Sequence, residues 1–513
     1  MFKRVFAVSL MSAASAVAAP AAPPKTATPP PAAAPAPASS AAASAPPAAP
    51  SKAPSPASGS AAATPSKTAP AATQATRDPA EHALERLALS IQRVTLENGL
   101  RVVMNVDASS PTVVVSVTYD VGSRNERPEQ SGFAHLFEHM MFKGSKNVKE
   151  GQHFGLISER GGTLNGTTSA DRTNYFDLLP SSELELALFL EADRMRWLAV
   201  NEKNFENQRA VVKEEYRMRV ENAPYVRGSQ RLEEITFADY APYAHTTIGS
   251  MQTLDVAKLE WVSDFYRTYY VPNNAVLAIA GDFDPDRAME LVRKYFGGAE
   301  RREVPPFNAA VAPASPEVKA IRREVVEDKN VNTPGVFWSF RIPPARSADH
   351  YALELCALLL GDGESSRLHQ KLVRDRSLLQ RVGAWTYDRR GPDQFGLSGI
   401  LTEKAKVEEI ERAFEAELDR LRKTTPSAEE LQRVKARLKH DFVFGLQSNA
   451  KRAIRLGEYE VFFGDARLLT RELSLYLAVT ADDMRRVASE YLKPELRFAV
   501  EVRPAARAAA GAP

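Results

Sequence analysis

The chain has 513 residues, and its 66 Lys and Arg nearly balance 64 Asp and Glu for a net charge of +2. That balance, with no basic tract and no interleaved aromatic stripe, argues against a nucleic-acid binder. A content of 44% hydrophobic and 25% charged residues fits a soluble globular protein, with a length suited to roughly two to four domains.

Residues 1–19 read as a cleavable secretory signal: Lys3 and Arg4 supply charge, Val5 to Met11 a short apolar core, and Ala16-Val17-Ala18 the small cleavage positions. The expected location is therefore periplasmic or secreted, and no later run is apolar for long enough to span a membrane. Residues 20–78 are almost wholly Ala, Pro, Ser and Thr. Such a segment cannot bury enough apolar surface to offset chain entropy, so it reads as a disordered tether.

Folded sequence begins near Pro79. Gln92 to Met104 reads as strand, Asn98-Gly99 turn, strand, and Thr112 to Tyr119 as a further β-rich run. A loop follows, then His135-Leu136-Phe137-Glu138-His139 inside an apolar stretch that Gly144 ends. On a helix His135 and His139 share a face, and two imidazoles so placed can chelate one Zn²⁺. Glu138 borders that face, where a carboxylate can take a proton from water activated by the metal. This H-x-x-E-H order is the inverzincin one, but it arises by chance about once in a hundred chains of this composition, so the remaining sequence has to support it. Gly161 to Ser169 and Thr173 to Leu178 read as paired strands. The first, rich in Gly and Thr, has little bulk to block a peptide adding along its edge. Ser181–Trp197 and Glu202–Arg219 read as helices, the second carrying Glu214 and Glu215. A two-histidine site needs a third protein ligand, and a helix can direct only one of these two carboxylates at it.

Together, H-x-x-E-H, the strand G-G-x-x-N-x-x-T (Gly162, Asn165, Thr168) and Val211-Val212-Lys213-Glu214-Glu215, whose last residue lies 76 after His139, resemble the M16 family of pitrilysin, insulinase and the mitochondrial processing peptidases, in its short two-domain bacterial branch. The resemblance runs from about residue 90 to 503. It implies one Zn²⁺ per chain on His135, His139 and Glu215, with Glu138 as the catalytic base. It implies substrate binding by Gly162, Asn165 and Thr168, and support of the ligands from Gln208 and Glu214. Gln208 stands where the family commonly has a second acid. The implied fold is α+β: two homologous domains of antiparallel-dominated sheet with packed helices, LuxS/MPP-like, forming half of a peptidase chamber.

The second half repeats the first. Thr253 to Ile279 and Thr480 to Val500 each read as capped helix, Tyr, Pro turn and strand. The expected units are an N-terminal metal-binding domain at 79–299, a Pro-rich linker at 300–318, a C-terminal domain without a metal site at 319–505 and a disordered tail at 506–513. The helix expected over Leu353–Leu360, in the place of the histidine helix, carries no His and holds Cys356, the chain's single cysteine, as a core residue. One cysteine excludes an intramolecular disulfide and a thiolate zinc site. Lys439 falls approximately opposite Glu215, and His350, His369 and His440 are assigned no ligand role. Active family members carry an Arg and a Tyr in this half; Val373 and Gln380 stand there instead. The resemblance thus implies a zinc endopeptidase for unfolded peptides, pairing with a second M16-like chain that supplies the Arg and Tyr, or with a second copy. The rival reading is a non-catalytic peptide-binding or assembly subunit.

Overall fold

The computed structural model describes residues 89–306 and 322–506 of the chain. The expected signal, the tether, the start of the folded region at Pro79, residues 307–321 around the linker and the tail beyond residue 506 lie outside the described residues. Among those described, no helix is long and apolar enough to cross a membrane.

Among the described residues, eleven strands form two sheets. The first contains β1 (Gln92–Thr95), β2 (Arg101–Val106), β3 (Thr112–Tyr119), β4 (Thr163–Thr168), β5 (Thr173–Pro180) and β6 (Ala275–Gly281), in the order β1-β2-β6-β3-β5-β4. The second contains β7 (Arg322–Asp328), β8 (Gly335–Ile342), β9 (Leu379–Thr386), β10 (Asp393–Leu401) and β11 (Phe498–Pro504), in the order β7-β11-β8-β10-β9. Strand for strand, the second sheet repeats the last five of the first. Each has one parallel pair, β2 with β6 and β7 with β11, and its other pairs are antiparallel.

Fourteen helices surround the sheets among the described residues: α1 (Phe133–Met140), α2 (Gln152–Ser158), α3 (Leu184–Trp197), α4 (Glu202–Tyr216), α5 (Val226–Thr236), α6 (Met251–Val256), α7 (Leu259–Tyr269), α8 (Pro285–Phe296), α9 (His350–Gly361), α10 (Val407–Lys423), α11 (Ala428–Leu446), α12 (Asn449–Phe463), α13 (Leu468–Ala478) and α14 (Ala481–Tyr491). One sequence expectation changes. The helix anticipated from Leu353 opens earlier, at His350, so the counterpart of the histidine helix does carry a histidine.

The central strands are covered on both faces, which explains their nearly unbroken apolar runs. Along β6, Leu277 and Ile279 join one core with α1, α3, α7 and α8, while the alternate residues Val276, Ala278 and Ala280 join another with α12. The covering is reciprocal. Helix α12, from the second half of the chain, lies on β3 and β6; helix α5, from the first half, lies on β11 and β8. A glycine permits each approach: a Cβ on Gly457 of α12 would stand 2.5 Å from Thr118 Oγ1, and one on Gly228 of α5 would stand 2.1 Å from Val502 Cγ2. Ion pairs close the seams, Arg93 and Arg172 reaching Glu460 and Glu458 from the first sheet, and Arg231 reaching Glu324 on the second.

Candidate active site

Helix α1 is buried along its whole length, so its polar residues must find internal partners. It starts at Gly132, whose φ of 96° favours glycine and whose added Cβ would lie 2.7 Å from Ile248 O. Glu126, from the preceding loop, caps the helix: its carboxylate accepts from Gly132 N at 2.9 Å and Ala134 N at 2.7 Å. Backbone N–H groups that the helix cannot pair internally are thereby satisfied. One face packs Phe133 against Trp261 and Phe137 against Phe265 and Tyr270. That anchorage turns His135, Glu138 and His139 toward α4 and β4.

Helix α4, started by the Asn201 side chain accepting from Asn204 N, delivers Glu215 to the two imidazoles. Glu215 Oε2 lies 3.1 Å from His139 Nε2 and 3.7 Å from His135 Nε2. The two rings meet edge to face at 4.9 Å between centroids. Burial, with His139 as neighbour, drives the pKa of His135 down to about 3 and keeps the ring neutral. Burial opposes ionisation of Glu215, but its close contact with the His139 ring and the charge of Arg219 beside it outweigh this and bring its pKa to about 2. A neutral imidazole and an ionised carboxylate are the forms that ligate a metal.

The pocket suits a zinc ion. Both ring nitrogens of His135 and Nε2 of His139 are buried without a hydrogen-bond partner, and one donor atom from each of His135, His139 and Glu215 falls within a 4.8 Å span. Two nitrogens and one oxygen so spaced match the three-ligand set of a tetrahedral catalytic zinc.

Glu138 sits beside this cluster with Oε2 accepting from Thr168 Oγ1 at 2.5 Å. Thr168, expected at the substrate, thus has its hydroxyl turned to Glu138. The strand glycines are used for packing. A Cβ on Gly166 would come within 3.1 Å of Glu138 Cγ, and one on Gly162 within 2.5 Å of Leu179 Cδ2. Asn165 is half-buried, its Oδ1 accepting from Gly166 N at 2.8 Å. Strand β4 ends the first sheet, and no described strand pairs with its outer edge.

The other expected residues lie farther out. Gln208 is buried on the Glu215 face of α4, where its amide donates to Asn207 Oδ1. Glu214, expected as support for the ligands, points away: its side chain is 61% exposed and pairs with Arg217. Successive helical residues lie about 100° apart, so the two glutamates cannot both face α1. Gln380 is spent on the second sheet, donating to Thr333 Oγ1 and Leu401 O. Val373 packs on the second core within a π-helical stretch, His369–Asp375. Cys356 is buried there too, and burial pushes its thiol pKa up.

Two residues escaped the sequence reading. Arg219 Nη1 lies 2.8 Å from Glu215 Oε1, a contact whose spacing of four was legible on a helix. The Glu126 cap was not legible, because a loop brings it back to the helix start.

Comparison with known proteins gives a concordant result. A family model described as Insulinase (Peptidase family M16) matches residues 101–246, and one described as Peptidase M16 inactive domain matches residues 258–438. The Zinc protease PqqE of Helicobacter pylori is 31% identical over 416 residues, spanning 80% of this chain and 93% of that protein. A crystal structure of a protease from Helicobacter pylori superposes with a TM-score of 0.76 at 30% identity, covering 81% of this chain and all (100%) of the other. The periplasmic protease PqqL from Escherichia coli shares the fold, with a TM-score of 0.66 at 20% identity over 80% of this chain but 47% of its own.

Proposed function

The chain belongs to the M16 peptidase family, and on that premise we propose that it is a zinc-dependent endopeptidase that cleaves unfolded peptides, acting as the metal-bearing subunit of a dimer. The observation that carries this reading is the convergence of His135, His139 and Glu215, with Glu138 and the open edge of β4 beside them. One ion would be held by those three side chains. When bound, zinc supplies Lewis-acid activation of water and of the scissile carbonyl.

The protein's own groups do the rest. Glu138 receives the proton of the attacking water and passes it to the leaving amine. The Thr168 hydroxyl donates to Oε2 of Glu138 and so fixes the orientation of the carboxylate. A peptide adds to the outer edge of β4 through main-chain hydrogen bonds, with Asn165 beside it. Such recognition tolerates many sequences and rejects folded proteins, whose backbones are already paired.

The two sheets support reading the chain as two homologous domains, 79–299 and 319–505, that make half of a chamber. The partner is a second M16-like chain that supplies the Arg and Tyr absent at Val373 and Gln380, or a second copy. The chain's match to about half the length of PqqL agrees with this. Export to the periplasm, or secretion, follows from the N-terminal signal.

Substitution Glu138→Gln tests the reading. With the partner present, peptide hydrolysis is expected to fall by roughly 10²–10⁴-fold while bound zinc stays at the wild-type level. Hydrolysis at the parental rate would remove Glu138 as the base, and a protein folded as before but taking up no zinc would favour the non-catalytic subunit.

A further inference from the structure

The turn between β4 and β5 opens into a cavity of about 260 Å³. Thr168, Ser169 and Ala170 form its rim at the end of β4, and α5, the segment after β9 and the end of α12 enclose the rest. The cavity thus begins one side chain from Glu138, to which Thr168 donates. It is separate from the cluster of His135, His139 and Glu215, none of which lines it.

Its walls are aromatic. Trp385, Tyr387, Phe462 and Phe463 line it, and each is half-buried. A glycine lets the Trp385 ring lie against β10: a Cβ on Gly396 would stand 2.3 Å from Trp385 Cε2. The charged side chains of the lining are already matched, Arg389 with Glu233, Arg172 with Glu458, Arg346 with Asp388 and Asp171 with Arg124. Gln394 Oε1, an acceptor, and Gln230 Nε2, a donor, line the same void and are buried without hydrogen-bond partners. Such a lining suits an uncharged ring. A charge would find its opposites engaged, whereas a phenyl, phenol or indole meets ring surface, and the two amide atoms can serve the polar edge of a Tyr or Trp. The size agrees, since an apolar cavity of about 150 Å³ admits a benzene ring.

The sheet sets the direction of approach. Strands β3, β5 and β4 alternate in direction, and a peptide that continues the alternation runs antiparallel to β4. It enters at Thr168 and leaves at Thr163, so residues on the N-terminal side of the scissile bond pass the cavity rim. We propose that this cavity is a specificity subsite that accepts an aromatic side chain of the peptide, N-terminal to the scissile bond. The proposal rests on the peptidase reading above: main-chain pairing along β4 supplies affinity without sequence choice, and the cavity supplies the choice.

The test uses the full-length protein with its partner chain, loaded with Zn²⁺, and peptides of Ala and Ser that carry a single Phe at successive positions. Cleavage is expected at a bond that moves with the Phe and stays C-terminal to it, with kcat/KM roughly 10–100-fold above that of the peptide with Ala in its place. Lys or Glu at that position should give no gain. Ser229→Trp, which fills the cavity from α5, and Phe462→Ala, which removes a wall, are each expected to bring the ratio toward one, with zinc per chain at the wild-type level as the check of folding. Cleavage that ignores the Phe, or that falls on its N-terminal side, overturns the proposal and leaves the peptidase reading standing. So does a ratio unchanged in both zinc-loaded variants. If no peptide is cut, fluorescence anisotropy of labelled peptides decides: Phe-dependent binding that Ser229→Trp abolishes keeps the cavity and counts against the peptidase, and binding indifferent to Phe removes both.

Discussion

Arg219 and Glu215 show how single side chains tune the candidate metal site. The guanidinium takes Oε1 of Glu215 at 2.8 Å and leaves Oε2 for the imidazoles. Groups that orient ligands in this way are typically worth about 10–100-fold in metal affinity. Arg219→Ala is therefore expected to weaken zinc binding in that range, read by competition with a chelator, with Arg219→Lys recovering part of the loss. The same cluster sets a pH dependence. The pKa of His135 is about 3 in the fold against 6.5 as reference, and that of Glu215 about 2 against 4.5. Both are lower when folded, so the unfolded chain binds more protons and acid favours unfolding. For the metal-free protein, the contribution from His135 is fully present above pH 6.5 and is lost as pH falls toward 3, at about 1.4 kcal/mol per pH unit. Glu215 adds to the loss between pH 4.5 and 2. Denaturant titrations of wild type and His135→Phe at pH 7 and pH 5 measure it: the stability lost on acidification should be smaller in the variant by about 2 kcal/mol.

At the level of elements, the close approaches are made by glycines facing a sheet. Gly457 of α12 abuts Thr118 on β3, and Gly228 of α5 abuts Val502 on β11. A side chain at either position must lift its helix or displace the strand beneath. Gly457→Val is expected to destabilise by about 1–3 kcal/mol or more, by overpacking, whereas Gly445 of α11, where an added Cβ meets nothing within 4 Å, should accept alanine at little cost. Thermal melts of the two variants decide whether the glycine serves packing or helix flexibility.

Across the whole molecule, the exchanged helices make each half the cover of the other. Without α12, the face of the first sheet formed by Val114, Val276, Ala278 and Ala280 would lie open to water. Exposed contiguous apolar surface of this kind drives association. A fragment of residues 79–306 is thus expected to aggregate when expressed alone and to become soluble on co-expression with residues 307–513, as light scattering would show. A soluble, monomeric first half would contradict this account of the fold.

By itself the sequence determined the local patterns: the β-rich run Thr112–Tyr119, the helix that carries His135 and His139, and the repeat of capped helix, Tyr, Pro turn and strand in the two halves. Each follows from periodicity, which local sequence records directly. The resemblance of three motifs then singled out Glu215 across 76 residues, where spacing alone left Glu214 and Glu215 equal. Tertiary structure decided what depends on contacts between distant segments. It turned Glu214 to solvent, assigned Thr168 to Glu138, spent Gln380 on the second sheet and brought His350 together with Asp388. It also exchanged α5 and α12 between the two sheets. None of these is periodic in the sequence: each arises because a buried polar group or an uncovered sheet face takes the partner that chain packing brings within reach, however far away along the chain.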